Sequence, residues 1–169
     1  RNICIMFCIF KKDKKQMKLS NNFTLTEFEK SQTAIRQGLD NTMPEEHLAN
    51  AKALCENVLQ KVREHFGPTT INSGYRGEAL NKAVGGSAKS QHCKGQAADI
   101  EVPGVSTFEV AKWIERHTDF DQVILEFYTP GIPDSGWVHV TYNTEGNRKK
   151  SLTASKVGGK THYSLGLNR

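Results

Sequence analysis

Apolar residues recur at helical spacing from Leu48 onward: Leu48, Ala51, Leu54, Cys55, Val58, Leu59, Val62 and Phe66 share one face. Pro44 stands at a first-turn position with Glu45 and Glu46 behind it, which suits the positive end of a helix dipole. Gly67-Pro68 stops the run, so a helix is predicted over about 44–66. A second helix is predicted from Thr24 to about Gly38, where Thr24-x-x-Glu27 and Thr26-x-x-Glu29 both match a capping box. A short helix is expected around Glu78–Val84. Another opens at Ser106-x-x-Glu109 and reaches about His117.

Strand patterns occupy the intervals. Thr69–Ser73, Ala97–Val102, Gln122–Tyr128 and Trp137–Asn143 read as strands, and the last alternates clearly. Gly85–Gly95 and Pro130–Gly136 read as polar or turn-rich loops. The tail from Thr144 to Arg169 is polar and is expected to add one short strand near Thr161–Leu165. Helices come first and strands follow at short intervals that favour antiparallel pairing. The expectation is an α+β fold with one small antiparallel sheet and helices packed against it.

Charge changes the picture at one end only. The chain has 169 residues, Lys plus Arg 23, Asp plus Glu 18 and a net charge of +5. Arg1, Lys11, Lys12, Lys14 and Lys15 against Asp13 account for +4 of it, so the remainder is nearly neutral. That argues against a nucleic-acid partner, which needs a basic face on the domain itself. No apolar run approaches the ~20 residues of a bilayer span, which argues against stable membrane insertion. Residues 1–16 place an apolar stretch before a charged one, the reverse of a secretory signal. They are expected to be a disordered or non-native leader, with a single domain over 17–169, made in the cytoplasm and monomeric. Four cysteines are present. Cys4 and Cys8 lie in the leader without partners at zinc-finger spacing, which argues against a cysteine zinc site, and Cys55 lies on the apolar stripe as a buried thiol; with no secretory signal pattern a reducing compartment is the default, so no disulfide is expected.

The candidate chemistry sits in Ser90-Gln-His92-Cys-Lys-Gly95-Gln-Ala-Ala-Asp99 and Trp137-Val-His139-Val. Gly95 permits a tight turn, and the two alanines leave space beside it, so His92 and Asp99 can converge. In the strand Ala97–Val102, Asp99 points away from the core side of Ile100. Val138 and Val140 alternate inward, which puts Trp137, His139 and Thr141 on the other face. A neighbouring antiparallel strand would bring His139 beside Asp99. Two imidazoles and one carboxylate leave one tetrahedral zinc position open, the pattern of a catalytic zinc site. Taken singly, His139 could be a hydrogen-bonded core histidine, His92 a loop residue and Asp99 a turn former.

Ser73-Gly-Tyr-Arg76, then Asn81, then S-x-H-x-x-G-x-A-x-D over Ser90–Asp99, then W-V-H-V over Trp137–Val140 resemble the zinc D-Ala-D-Ala carboxypeptidases. That family sits with the lysostaphin-type peptidases and the hedgehog domain in one superfamily. The short phage-encoded form is the most similar, over roughly residues 20–165. The resemblance implies zinc held by His92, Asp99 and His139, and peptidoglycan stem peptide as substrate. It implies that Arg76 holds a substrate carboxylate, which a guanidinium fork suits. Ser90 and Gln91 are candidates to hydrogen-bond the peptide, with loop capping the alternative for Ser90. Trp137 either walls the pocket or packs beside the sheet.

The sequence also departs from its relatives. Several carry an acid three positions before the last zinc histidine, where this chain has Gly136. Many have histidine where this chain has Trp137. Glu126, ending an otherwise apolar strand, is the favoured general base, and Asp134 is the alternative. The reading is a zinc metallopeptidase, either a D-Ala-D-Ala carboxypeptidase or a phage endolysin-type endopeptidase acting on the bacterial wall. The alternatives are a non-catalytic zinc-containing wall-binding or virion module and, with less support, a non-heme iron oxygenase.

Overall fold

A computed structural model describes residues 16–169. The leader, with Cys4 and Cys8, lies outside the described residues apart from its last position. Among the described residues no helix is long and apolar enough to cross a membrane. Cys55 and Cys93 are free thiols.

The fold is α+β. Six strands form one sheet in the order β1-β2-β4-β3-β5-β6: β1 Thr70–Ser73, β2 Ala97–Glu101, β3 Gln122–Glu126, β4 Trp137–Thr141, β5 Lys150–Val157 and β6 Lys160–Leu165. All neighbouring pairs are antiparallel except β3 with β5. This parallel pair departs from the all-antiparallel expectation, and topology explains it. The outer edge of β4 is already taken by β2, so the chain leaving β4 must cross to the free edge of β3, where it runs in the direction of β3.

The anticipated helix over 24–38 is two helices, α1 Leu25–Glu29 and α2 Gln32–Gln37. The Thr24–Glu27 capping box forms, and Thr26 lies within the helix rather than at its N-cap. Ser31 caps a new helix by accepting from Ala34 N–H, while Glu29 Oε1 accepts the backbone N–H of Met43. These side-chain acceptors compete with continuation of the first helix. The long helix forms with Glu45–His47 as a 3₁₀ turn, then α3 Leu48–Leu54, a π-helical turn Cys55–Leu59, and α4 Gln60–Phe66. The wider turn keeps Leu54, Cys55, Val58, Leu59 and Val62 all fully buried. α5 spans Glu78–Ala83 and α6 Thr107–His117. Ser106 makes no side-chain cap, contrary to the capping box read from sequence; Thr107 N–H instead donates to the Pro133 carbonyl.

Two strands differ from expectation. β3 ends at Glu126 because Phe127 takes a left-handed φ of 54° and turns the chain. The tail forms a hairpin rather than one short strand. Gly158 and Gly159, with φ of 56° and 76°, supply the two left-handed residues of a tight turn that pairs Val157 with Lys160.

The sheet has one dry face. Ala98, Ile100, Val123, Leu125, Val138 and Val140 point into a single core with α3, α4, the π turn and α6. The opposite face carries Asp99, Ile124, Glu126, Trp137 and His139 and is not covered by a helix layer, so strand alternation places the candidate chemistry on the open side.

Candidate metal centre

Register, not proximity in sequence, builds this site. Asp99 on β2 lies directly opposite His139 on β4, as the antiparallel expectation required. His92 arrives from the 3₁₀ turn Gln91–Lys94, which Gly95 closes in a left-handed conformation. A side chain at Gly95 would collide with the His47 carbonyl at 2.9 Å, so the tight return to β2 requires glycine. Ser90 caps this turn, its Oγ accepting from His92 N–H at 3.3 Å.

Three ligand atoms converge: His92 Nε2, Asp99 Oδ1 and His139 Nδ1, all within 4.8 Å of one another. Oδ1 of Asp99 is 2.9 Å from His139 Nδ1 and 3.4 Å from His92 Nε2. The two nitrogens are 3.3 Å apart. His92 Nδ1 lies 2.7 Å from the Gly74 carbonyl oxygen, which can only accept, so Nδ1 carries the proton. Burial holds the His92 pKa below its ordinary value, which favours the neutral ring. A neutral ring with its proton on Nδ1 aims the Nε2 lone pair at the other two donors. His139 Nδ1 can donate to Asp99 Oδ1, but His92 Nε2 and Asp99 Oδ1, 3.4 Å apart, then face each other as two acceptors, an arrangement that a cation between them relieves. The residues present therefore fit a zinc ion, with the backbone carbonyl of Gly74 orienting one ligand.

Electrostatics reinforce the set. Burial alone would raise the Asp99 pKa. The hydrogen bond from His139 and the charge nearby outweigh it and keep the carboxyl ionised, well below its usual range. Arg76 donates from Nη2 to the other Asp99 oxygen at 2.7 Å and from Nε to Ser73 Oγ at 2.8 Å.

The triad floors an open cleft of about 660 Å³. Arg76, Ser90, Gln91, Glu126 and Trp137 all line it. Glu126 lies beside the triad because it pairs with Trp137, two residues from His139 along β4. Burial, assisted by the Asp99 charge, raises its pKa against the opposing effects of His139 and Arg76. Asp134 is exposed in its loop and does not line the cleft. Gly136 has a φ of 66°, and a Cβ there would overlap the Glu126 carbonyl oxygen and approach Phe127 C at 2.8 Å. No acidic side chain has room at that position, and Glu126 is the carboxylate beside Asp99 that lines the cleft. The indole of Trp137 lies against Phe127 at 5.3 Å, with its N–H buried and unpartnered.

Sequence reasoning missed a second polar cluster. Buried Asp121 accepts from Arg148 Nε and Nη2 at 2.9 and 2.7 Å, from Gln91 Nε2 at 3.2 Å and from Thr141 Oγ1 at 3.2 Å. It ties the turn that carries His92 to the strand that carries His139. The Gln91 amide is thereby engaged within the protein while lining the cleft. Asp121 and Arg148 are far apart in sequence, and no motif joins them.

A family model described as Peptidase M15 matches residues 21–141, the segment that contains all three candidate ligands. The chain belongs to the peptidase M15 family. No curated protein matches it. At the family level it is a zinc-dependent metallopeptidase acting on peptidoglycan, in the superfamily of the D-Ala-D-Ala carboxypeptidases.

Proposed function

We propose that this chain hydrolyses D-alanine-containing stem peptides of peptidoglycan, as a monomeric single domain over 17–169 of the short phage-type form, made in the cytoplasm and acting on the bacterial wall. The observation that carries the reading is the convergence of His92 Nε2, Asp99 Oδ1 and His139 Nδ1 beside a desolvated glutamate in a cleft. These three residues would hold zinc, which when bound lowers the pKa of a water toward ~7 and polarises a carbonyl.

The remaining work falls to the chain's own groups. The Glu126 carboxylate accepts a proton from the attacking water and returns it to the departing amine nitrogen. Its burial raises its pKa toward the value such a shuttle needs. Arg76 offers its guanidinium to the substrate's terminal carboxylate, sharing it with Asp99 Oδ2. Ser90 and Gln91 hold the turn of His92 at the cleft wall and hydrogen-bond the peptide there, and Trp137 supplies an aromatic wall.

Metal analysis of purified protein, paired with hydrolysis of a pentapeptide ending in D-Ala-D-Ala, tests the proposal. One zinc per chain with release of D-alanine is expected. Loss of cleavage on amidating the terminal carboxylate marks a carboxypeptidase, and indifference marks an endopeptidase. Zinc without hydrolysis of any stem peptide would favour the non-catalytic wall-binding or virion module.

A further inference from the structure

The family match ends at Thr141, the last residue of β4, yet the cleft does not. Leu152 on β5 and Thr161 and Tyr163 on β6 line it from beyond the matched segment. Their placement follows from register. One row across the sheet runs Asp99, His139, Ile124, Leu152, Leu165, and the next runs Trp137, Glu126, Ala154, Tyr163. Paired residues share a face, so Tyr163 projects on the face that holds the triad, separated from Glu126 only by a methyl side chain. Burial and the Glu126 charge both raise the Tyr163 pKa, in keeping with that closeness.

The hairpin is fixed to the cleft rim. Phe127 N–H donates to the Ala154 carbonyl at 2.9 Å, and Lys156 Nζ lies 5.2 Å over the Phe127 ring. Even so, Tyr163 stays 59% exposed and Leu165 77%, an unusual apolar presentation on an edge strand. Three strand spacings separate His139 on β4 from Tyr163 on β6, about 14 Å at ~4.8 Å each. An extended peptide of about four residues covers that distance at ~3.4 Å per residue.

We infer that Tyr163, carried by the C-terminal hairpin, is a specificity residue whose ring packs against the part of the peptide substrate remote from Arg76, so that the enzyme selects stem peptides of four or five residues over a D-Ala-D-Ala dipeptide. This rests on the peptidase reading above. Ile124 and Leu152 continue the same apolar floor between the triad and the hairpin. The matched segment supplies the chemistry, and the hairpin supplies the reach.

Steady-state kinetics on a D-Ala-D-Ala-terminated pentapeptide and on the dipeptide, with zinc-loaded protein, test the assignment. Tyr163→Ala should lose about tenfold in kcat/KM on the pentapeptide, chiefly through KM, the scale of one lost apolar contact. Activity on the dipeptide should be unchanged, and Tyr163→Phe should restore the pentapeptide preference because the ring does the packing. Wild-type kcat/KM in Tyr163→Ala, or an equal loss on both substrates, would overturn the inference. Should wild type cleave neither peptide, the peptidase reading falls. Calorimetric binding of the same pentapeptide to wild type and Tyr163→Ala then decides the role of Tyr163: equal affinities refute it, and about tenfold weaker binding by the variant upholds it.

Discussion

Asp99 and Asp121 are both buried and both ionised, and they mark two kinds of polar site in one small fold. Asp121 is surrounded by donors that cannot lose their role: a guanidinium, two amide N–H groups and a hydroxyl. Its pKa falls to about 2, chiefly through the Arg148 side chain. It is complete as it stands. Asp99 shares Arg76 as one permanent donor, but its other oxygen faces two imidazole nitrogens, one of which must present a lone pair. A satisfied carboxylate ties elements together; a carboxylate facing acceptors asks for a cation. Burial and depressed pKa are common to both, so neither property alone separates a structural carboxylate from a metal ligand. The partner atoms do.

The sharpest way to break the comparison is to delete the imidazoles. His92→Ala or His139→Ala should abolish stoichiometric zinc and stem-peptide hydrolysis together, measured by metal analysis and peptide release. Full zinc occupancy in His139→Ala would remove it from the ligand set. Asp99→Asn, which deletes the only anionic ligand, should weaken zinc binding in a chelator-competition titration.

Glu126→Gln should keep zinc and lower turnover by roughly 10²–10⁴-fold, the usual worth of general acid–base catalysis. Asp134→Asn should stay close to wild type because that side chain lies outside the cleft. Glu126 must be ionised to act, so activity rises with pH through its raised pKa, and that acid limb should vanish in Glu126→Gln. A dead Asp134→Asn beside a normal Glu126→Gln would exchange the two roles.

Arg76→Lys is expected to retain zinc and lose most of the activity. A point charge cannot reproduce the simultaneous contacts to Asp99, Ser73 and a substrate carboxylate. Wild-type kcat/KM in this variant would remove the clamp.

Asp121→Asn carries the smallest expected effect on chemistry and a clear one on stability. Loss of charged hydrogen bonds there should cost about 2–3 kcal/mol in a denaturant titration, with zinc still bound. The folded carboxyl has the lower pKa, so the stability it contributes is present above pH ~4 and is lost as pH falls toward 2. The variant should lose that acid dependence. Loss of zinc in Asp121→Asn would show that the tether through Gln91 and Thr141 also positions the metal ligands.

Much of this was legible in the chain itself. Alternation in Trp137–Thr141 and the Gly95-x-Ala-x-Asp99 return placed His139, Asp99 and His92 on one side of a sheet, because strand period and glycine conformation are local properties. The long helix and its stop followed from periodicity for the same reason. The split after Glu29 was not legible, because Asn41 donates to its carbonyl and Met43 to its carboxylate from more than ten residues away. The parallel pairing of β5 depended on which sheet edge was free, and the Asp121–Arg148 tie on a crossing of distant segments. Glycine at 136 looked like a missing acid, and only the approach of the Glu126 carbonyl explains it as a position with no room. Residue type and period determined which side chains could do chemistry and which way they point. Long-range register decided which of them meet, since pairing energy depends on neighbours that the local sequence does not name.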